Sequence, residues 1–365
     1  VSRGILVLLG SGETAPGMTK VHREVFSRLG DVRGVNLDTP YGFQENVPQM
    51  TDKLLDYFET SLHVDLQPLH FTSFADSTAV EQSIFRQSVR EANYVFAGPG
   101  SPSYALKQWL PMSLQDDLRG VLQNGGAVCF SSAAALTIGR KTIPVYEMYK
   151  VGDAPFWLDG LDLVAHAGLN CVVVPHFDNQ EGSNYDTSCC YIGKRRLELL
   201  ESELEPGTAT LGIDEHTAVL IDLEAQTIEV LGKANAYWRS GGDVLILANG
   251  TTTPLGELQS FEPESLELPT NEAPAVLTPL ELAREISTTT FEASEALASL
   301  VRLAQTGGDG YIDPTDLVNR ILEARIAARK AGSYEIADQL RDALVASGID
   351  VHDGPGGSTW ALRQG

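Results

Sequence analysis

Residues 124–139, NGGAVCFSSAAALTIG, run from a glycine turn through an apolar strand into an alanine-rich stretch with strong helix propensity. A serine at such a strand-to-helix junction has its hydroxyl held above the sheet, with backbone N–H groups close by at the start of the helix. Ser131 and Ser132 both stand there, and each fits either of two roles, nucleophile or helix cap. Outward from this segment, short apolar runs recur at 4–9, 34–37, 94–97, 171–174, 218–221 and 244–247, separated by stretches able to form helices. Successive apolar positions, rather than alternating ones, mark strands buried on both faces. The expected fold class is therefore α/β, a mostly parallel sheet flanked by helices.

The chain has 365 residues, which suggests two domains at about 150 residues each. Its 26 Lys+Arg against 49 Asp+Glu give a net charge of −23, which argues against affinity built on bulk attraction to phosphate backbones or anionic lipid. Four cysteines, at 129, 171, 189 and 190, show neither a disulfide framework nor zinc-site spacing, which fits a reducing compartment. The opening strand GILVLLG is too short to cross a membrane and has no basic leader. A cytoplasmic protein with no membrane partner is expected.

At Thr251 the composition breaks. Residues 251–300 hold nine acids against a single basic residue, Arg284, with recurrent prolines. The expected organisation is an α/β domain over 1–250, an acidic linker over 251–278 and a helical module over 279–365. Within that module a helix is expected over 279–300. Leu317, Ile321, Ala324 and Ala328 form an apolar stripe behind Asp313-Pro314, and Tyr334, Ala337, Leu340 and Leu344 form a second. The two stripes predict a helical hairpin, followed by a small β-ribbon with Trp360 folded back on the helices.

A serine nucleophile needs a base within hydrogen-bond reach and an acid to orient that base. His176, in VVVPHFDN just after the run 171–174, is the best candidate base, because strand C-termini gather on the face where α/β sites form. His216, beside Glu215, is a second candidate. Cys129 lies within the apolar run and reads as buried and inert, and GSGETAPG at 10–17 lacks phosphate-loop spacing and reads as a strand-end turn bordering the cleft.

Five segments together, LLGSGE at 8–13, AGPGSPSYAL at 97–106, CFSSAAALTIG at 129–139, PHFDN at 175–179 and LGIDEHTAVLI at 211–221, resemble the dipeptidase E and cyanophycinase family of serine peptidases. The resemblance implies a class I glutamine amidotransferase-like fold. Counted back from Gly139, it selects Ser132 over Ser131 as nucleophile, and it selects His176 as base. Two acids fit different family members: Glu215, which is preferred, and Glu147, fifteen residues after Ser132. The resemblance also implies an oxyanion hole made by the Gly100 and Ala133 N–H groups. Phe130 and Ala134 depart from the family, which has glycines in both places, and an inactive scaffold that binds a ligand or protein is the competing reading. Another acyl transfer at Ser132 is a further alternative.

The expected substrate is a small peptide, acidic or β-aspartyl. Tyr41 and Gln44 in TPYGFQEN, and Asp178 and Asn179 beside the base, are candidate contacts, and Arg195 or Arg196 would hold a substrate carboxylate. No ligand spacing is diagnostic of a metal, and no cofactor is expected. Residues 321–362 resemble the extreme C-terminus of cysteinyl-tRNA synthetases, on Arg325, Arg329, the turn from Tyr334 to Asp338, Leu340-Arg341-Asp342, Gly348-Ile349 and Gly357 through Trp360. That resemblance implies contact with tRNA or other RNA. Six acids against five Lys/Arg over 321–365 weigh against it and favour a packing or protein-interaction module. Assembly into a homo-oligomer is left open.

Overall fold

The structure is a computed structural model that describes residues 4–182, 184–261, 314–330, 334–346, 349–354 and 357–362. The helix expected over 279–300, residues 262–278 of the expected linker and the Asp313 cap lie outside the described residues. The chain divides into two compact units, Val1–Leu266 and Glu267–Gly365.

In the first unit the strands are β1 (Ile5–Leu9), β2 (Gly34–Leu37), β3 (Leu66–Leu69), β4 (Tyr94–Ala97), β5 (Ala127–Ser131), β6 (Lys141–Thr142), β7 (Leu158–Asp159), β8 (Cys171–Val174), β9 (Ala209–Ile213), β10 (Thr217–Asp222), β11 (Thr227–Gly232), β12 (Ala236–Ser240), β13 (Asp243–Leu247) and β14 (Thr252–Pro254). An eight-stranded sheet runs in the order β14-β11-β10-β1-β5-β4-β2-β3. The five strands from β1 to β3 are parallel and the other three join antiparallel. This is the expected α/β architecture.

β1 and β5 are buried along their whole length, and alternate residues feed two cores. Leu6, Leu8, Val128 and Phe130 face one side with Trp109 and Leu118. Ile5, Val7, Leu9 and Cys129 face the other with Val21, Val25 and Phe58. Helices α1 (Thr19–Leu29), α2 (Val47–Tyr57), α3 (Ala79–Glu91), α4 (Pro102–Trp109) and α5 (Leu114–Gln123) flank the sheet. The start of α3 is set by a reciprocal cap between Thr78 and Glu81, and Arg86 and Arg90 tie it to Asp117 of α5.

The run 171–174 belongs to a different sheet from the other parallel strands. β8 pairs in parallel with β9, within a second sheet of order β13-β12-β9-β8. β9 then passes through a short turn at 214–216 into β10 of the large sheet. That turn links the two sheets and carries Glu215 and His216.

The first unit also extends beyond the composition break at Thr251. β14 pairs with β11, and Leu255 and Leu258 of the short helix at Leu255–Gln259 are buried in the main core. Two leucines spaced three apart suffice to dock this segment, although its neighbours read as linker.

In the second unit, Pro314–Lys330 and Tyr334–Ala346 are helices, and β15 (Ile349–Gly354) pairs antiparallel with β16 (Gly357–Leu362). Val318, Ile321, Leu322, Ala337, Leu340, Leu344, Ile349 and Val351 form its core, and Trp360 packs against it and donates from Nε1 to Asn319. Tyr334 is exposed, so the second stripe begins at Ala337 instead.

Candidate active site

Ser132 lies between β5 and the short helix Ala133–Leu136, with φ 52° and ψ −118°. A non-glycine residue at positive φ is sterically costly and is held there only by its surroundings. Here Ser132 N donates to Leu9 O at 3.1 Å, and Ala134 N donates to Gly98 O at 3.3 Å, fixing both sides of the elbow. The departures at 130 and 134 do not open this turn. Phe130 is fully buried and packs its ring against Trp109 at 5.6 Å, and Ala134 is buried in the same core.

The two serines diverge. Ser131 is wholly buried and its hydroxyl donates to Glu13 at 2.9 Å, whereas Ser132 Oγ lies 2.8 Å from His176 Nε2. His176 follows β8 by two residues at φ 49°, and its backbone N–H is held by Gly10 O at 3.2 Å. Its Nδ1 lies 2.7 Å from Glu215 Oε1. Asn179 Nδ2 donates to the same oxygen at 2.9 Å, and Glu215 N donates to Asp178 Oδ1 at 2.7 Å. The bond with His176 is the main reason the Glu215 carboxyl is lowered to about 2, against the opposing effect of burial, with Asn179 adding to the lowering.

Glu147 is not part of this chain of contacts. It opens a π-helical turn at Glu147–Val151, and its buried Oε2 has no hydrogen-bond partner among the described residues. His216 is exposed and turns its ring toward Gly12, where an added Cβ would lie 2.2 Å from its Nδ1. Burial raises the Cys129 thiol to about 12, so it is protonated and inert.

Ser132, Ala133, Gly100 and His176 line one cleft of about 370 Å³. Gly100 has φ +147°, and a Cβ there would stand 2.0 Å from Pro40 O. Only glycine lets the 98–101 loop approach the chain at Pro40 so closely.

The proposed substrate contacts fare differently. Tyr41 is buried, with its hydroxyl bonded to Asn36 and Thr51, and it lines a neighbouring cleft with Glu13 and Pro99. That hydroxyl is committed to the interior. Gln44 sits in the following turn and is not among the residues that line the Ser132 cleft. Asp178 Oδ1 and the amide of the buried Asn179 hold Glu215 in place, so those groups are already engaged. Arg195 and Arg196 are exposed on Lys194–Ser202 and do not line the Ser132 cleft either, because the buried face of that helix is set by Leu197 and Leu200.

Sequence reasoning missed Tyr146, Tyr149, Lys150 and Tyr191, which line the Ser132 cleft. Tyr146 and Tyr149 lie more than 40 residues before Tyr191, so no local pattern joins them. Among the described residues no cluster of His, Cys, Asp or Glu is arranged to hold a metal ion, and no helix is long and apolar enough to cross a membrane.

Residues 313–360 match the family model of the cysteinyl-tRNA ligase anticodon binding domain. A cysteine–tRNA ligase of Bifidobacterium longum is 53% identical over 47 residues, 13% of this chain and 9% of the ligase. One from Pseudomonas aeruginosa is 34% identical over 110 residues, 25% of this chain and 24% of the ligase. The chain thus spans a quarter or less of the length of these relatives. Among solved structures, a peptidase from an acI-B1 Actinobacterium superposes with a TM-score of 0.56 at 19% identity, covering 69% of this chain and 97% of that one. The chain therefore joins a unit with the fold of a known peptidase to a C-terminal segment resembling part of the cysteine–tRNA ligases.

Proposed function

We propose that the first unit is a serine hydrolase that cleaves an amide bond in a small peptide through an acyl-enzyme. The observation that carries this reading is the continuous hydrogen-bonded relay from Ser132 Oγ to His176 Nε2 at 2.8 Å and from His176 Nδ1 to Glu215 at 2.7 Å. Ser132 Oγ attacks the carbonyl carbon while its proton passes to His176 Nε2. Glu215 stays ionised, orients the ring and stabilises the imidazolium. The Gly100 and Ala133 N–H groups receive the negative tetrahedral oxygen. Collapse breaks the C–N bond, and the departing amine takes the proton from His176. Water then attacks the ester with His176 again as base, releasing the acid and regenerating Ser132.

The test is turnover of short peptides together with labelling by a fluorophosphonate probe. The wild-type chain labels and hydrolyses, and Ser132→Ala does neither. A wild-type chain that is inert to both would leave the catalytically silent scaffold as the better reading.

For the C-terminal unit, the match to an anticodon-binding domain favours contact with RNA, and the near-balanced charge over 321–365 favours a protein-interaction module. We adopt the second reading. Equal retention of bulk tRNA by the full chain and by a chain ending near residue 310 is its expected result, and loss of retention on truncation would favour RNA.

A further inference from the structure

The wall of the Ser132 cleft is aromatic, although the family resemblance suggests an acidic substrate. Tyr191 packs against the His176 ring at 5.4 Å, Tyr149 against Tyr191 at 5.6 Å, and Tyr185 against Tyr149 at 6.3 Å. The rings thus form a run leading away from the catalytic base. Tyr149 and Tyr185 also share a hydroxyl–hydroxyl bond of 2.8 Å, which steadies the outer end. Tyr146, Leu136 and Val145 line the same cleft. Its volume of about 370 Å³ falls in the range of about 300–1,000 Å³ typical of small-molecule sites.

Among the described residues one cation lines this cleft, Lys150, whose Nζ sits 4.3 Å from the centre of the Tyr149 ring. Lys150 is exposed and, among the described residues, forms no ion pair, so beyond its contact with the Tyr149 ring its charge is open to a ligand. It projects from the π-helical turn Glu147–Val151, an irregularity common at functional sites. A carboxylate on the same cleft does not favour an anionic side chain beside Tyr191. Glu181 lines it, and its charge helps burial push the Tyr191 phenol above its ordinary value.

We propose that the tyrosine wall is the side-chain subsite of the proposed hydrolase, that it takes an aromatic residue next to the scissile bond, and that Lys150 receives that residue's free carboxylate. The proposal rests on Ser132 being the nucleophile. Offset and edge-on packing against Tyr149 and Tyr191 suits a phenyl or phenol ring, whereas an aspartyl side chain would lose its water to aromatic faces and lie near Glu181. The leaving group is then a C-terminal aromatic amino acid, whose amine takes the proton from His176. Lys150 acts as a point charge on its carboxylate and discriminates against substrates that continue beyond it.

The experiment compares kcat/KM of the full chain on dipeptides ending in Phe, Tyr, Leu, Asp and Arg, and on the C-terminal amide of the best of them, with fluorophosphonate labelling run in parallel. The expected result is at least a tenfold preference for Phe and Tyr over Asp. Lys150→Met should raise KM about tenfold on the free-carboxylate substrate and leave the amide, already poor for the wild type, unchanged. Tyr149→Leu should lower kcat/KM for the Phe substrate about tenfold and narrow its preference over the Leu substrate. Labelling without an aromatic preference, or an equal loss on acid and amide in Lys150→Met, overturns the subsite and leaves the hydrolase standing. Absence of labelling and of all turnover overturns both.

Discussion

Asn179 Nδ2 donates to Glu215 Oε1 from 2.9 Å, the same oxygen that meets His176 Nδ1 at 2.7 Å. The buried amide therefore fixes the direction from which the carboxylate faces the ring. A hydrogen bond to a charged group contributes roughly 1.5–3 kcal/mol. Asn179→Ala is expected to lower kcat about tenfold with KM nearly constant, because the bond orients the base and does not touch substrate. Steady-state kinetics separate the two, and a change confined to KM would assign Asn179 to substrate binding.

Glu215 and Glu147 are separated by the same assay. Glu215→Gln deprives the imidazolium of its counter-charge, and kcat should fall by about 10²–10⁴-fold. Glu147→Gln should change kcat less than about tenfold, since Glu147 bonds to neither catalytic group. The reverse ranking would move the acid to Glu147.

The depressed Glu215 carboxyl makes a prediction about stability. Its folded value of about 2 lies below the ordinary 4.5, so its contribution is fully present above 4.5 and is lost as pH falls through about 2. Urea unfolding of wild type and Glu215→Gln should show the wild type more stable near neutral pH, with the gap closing on acidification across that window. A gap that widens toward acid would contradict the assigned sign.

Gly100→Ala places a methyl group where Pro40 O stands, at a φ of +147°. The expected cost is roughly 1–3 kcal/mol of stability from the backbone conformation alone. Because Gly100 supplies one N–H of the proposed oxyanion hole, kcat should also fall at temperatures where the variant remains folded. Thermal unfolding and single-turnover acylation distinguish the two losses.

Much of the fold was legible because burial on both faces leaves a local trace. Runs such as ILVLL and AVCFS are apolar at almost every position and are fully buried, whereas the equally apolar run 244–247 in β13 leaves Val244 and Ile246 exposed. The C-terminal unit was legible as well, since Ile321, Ala337, Leu340 and Leu344 lie at helical spacing and do form its core. The docking of 252–259 was not, because the burial of Leu255 and Leu258 depends on a groove built by distant strands.

The amino-acid sequence by itself determined strands β1, β2, β4, β5, β8, β10 and β13, the serine at the strand-to-helix junction and the histidine just past a strand end, all of which follow from local spacing and propensity. Only the tertiary structure decided between Ser131 and Ser132 by contact, between Glu215 and Glu147 as partner of His176, and which side chains line the cleft. Those choices depend on strand order and on the turn at 214–216 that joins the two sheets. Loops that meet at a sheet edge can be 40 residues apart, and periodicity along the chain carries no record of that meeting.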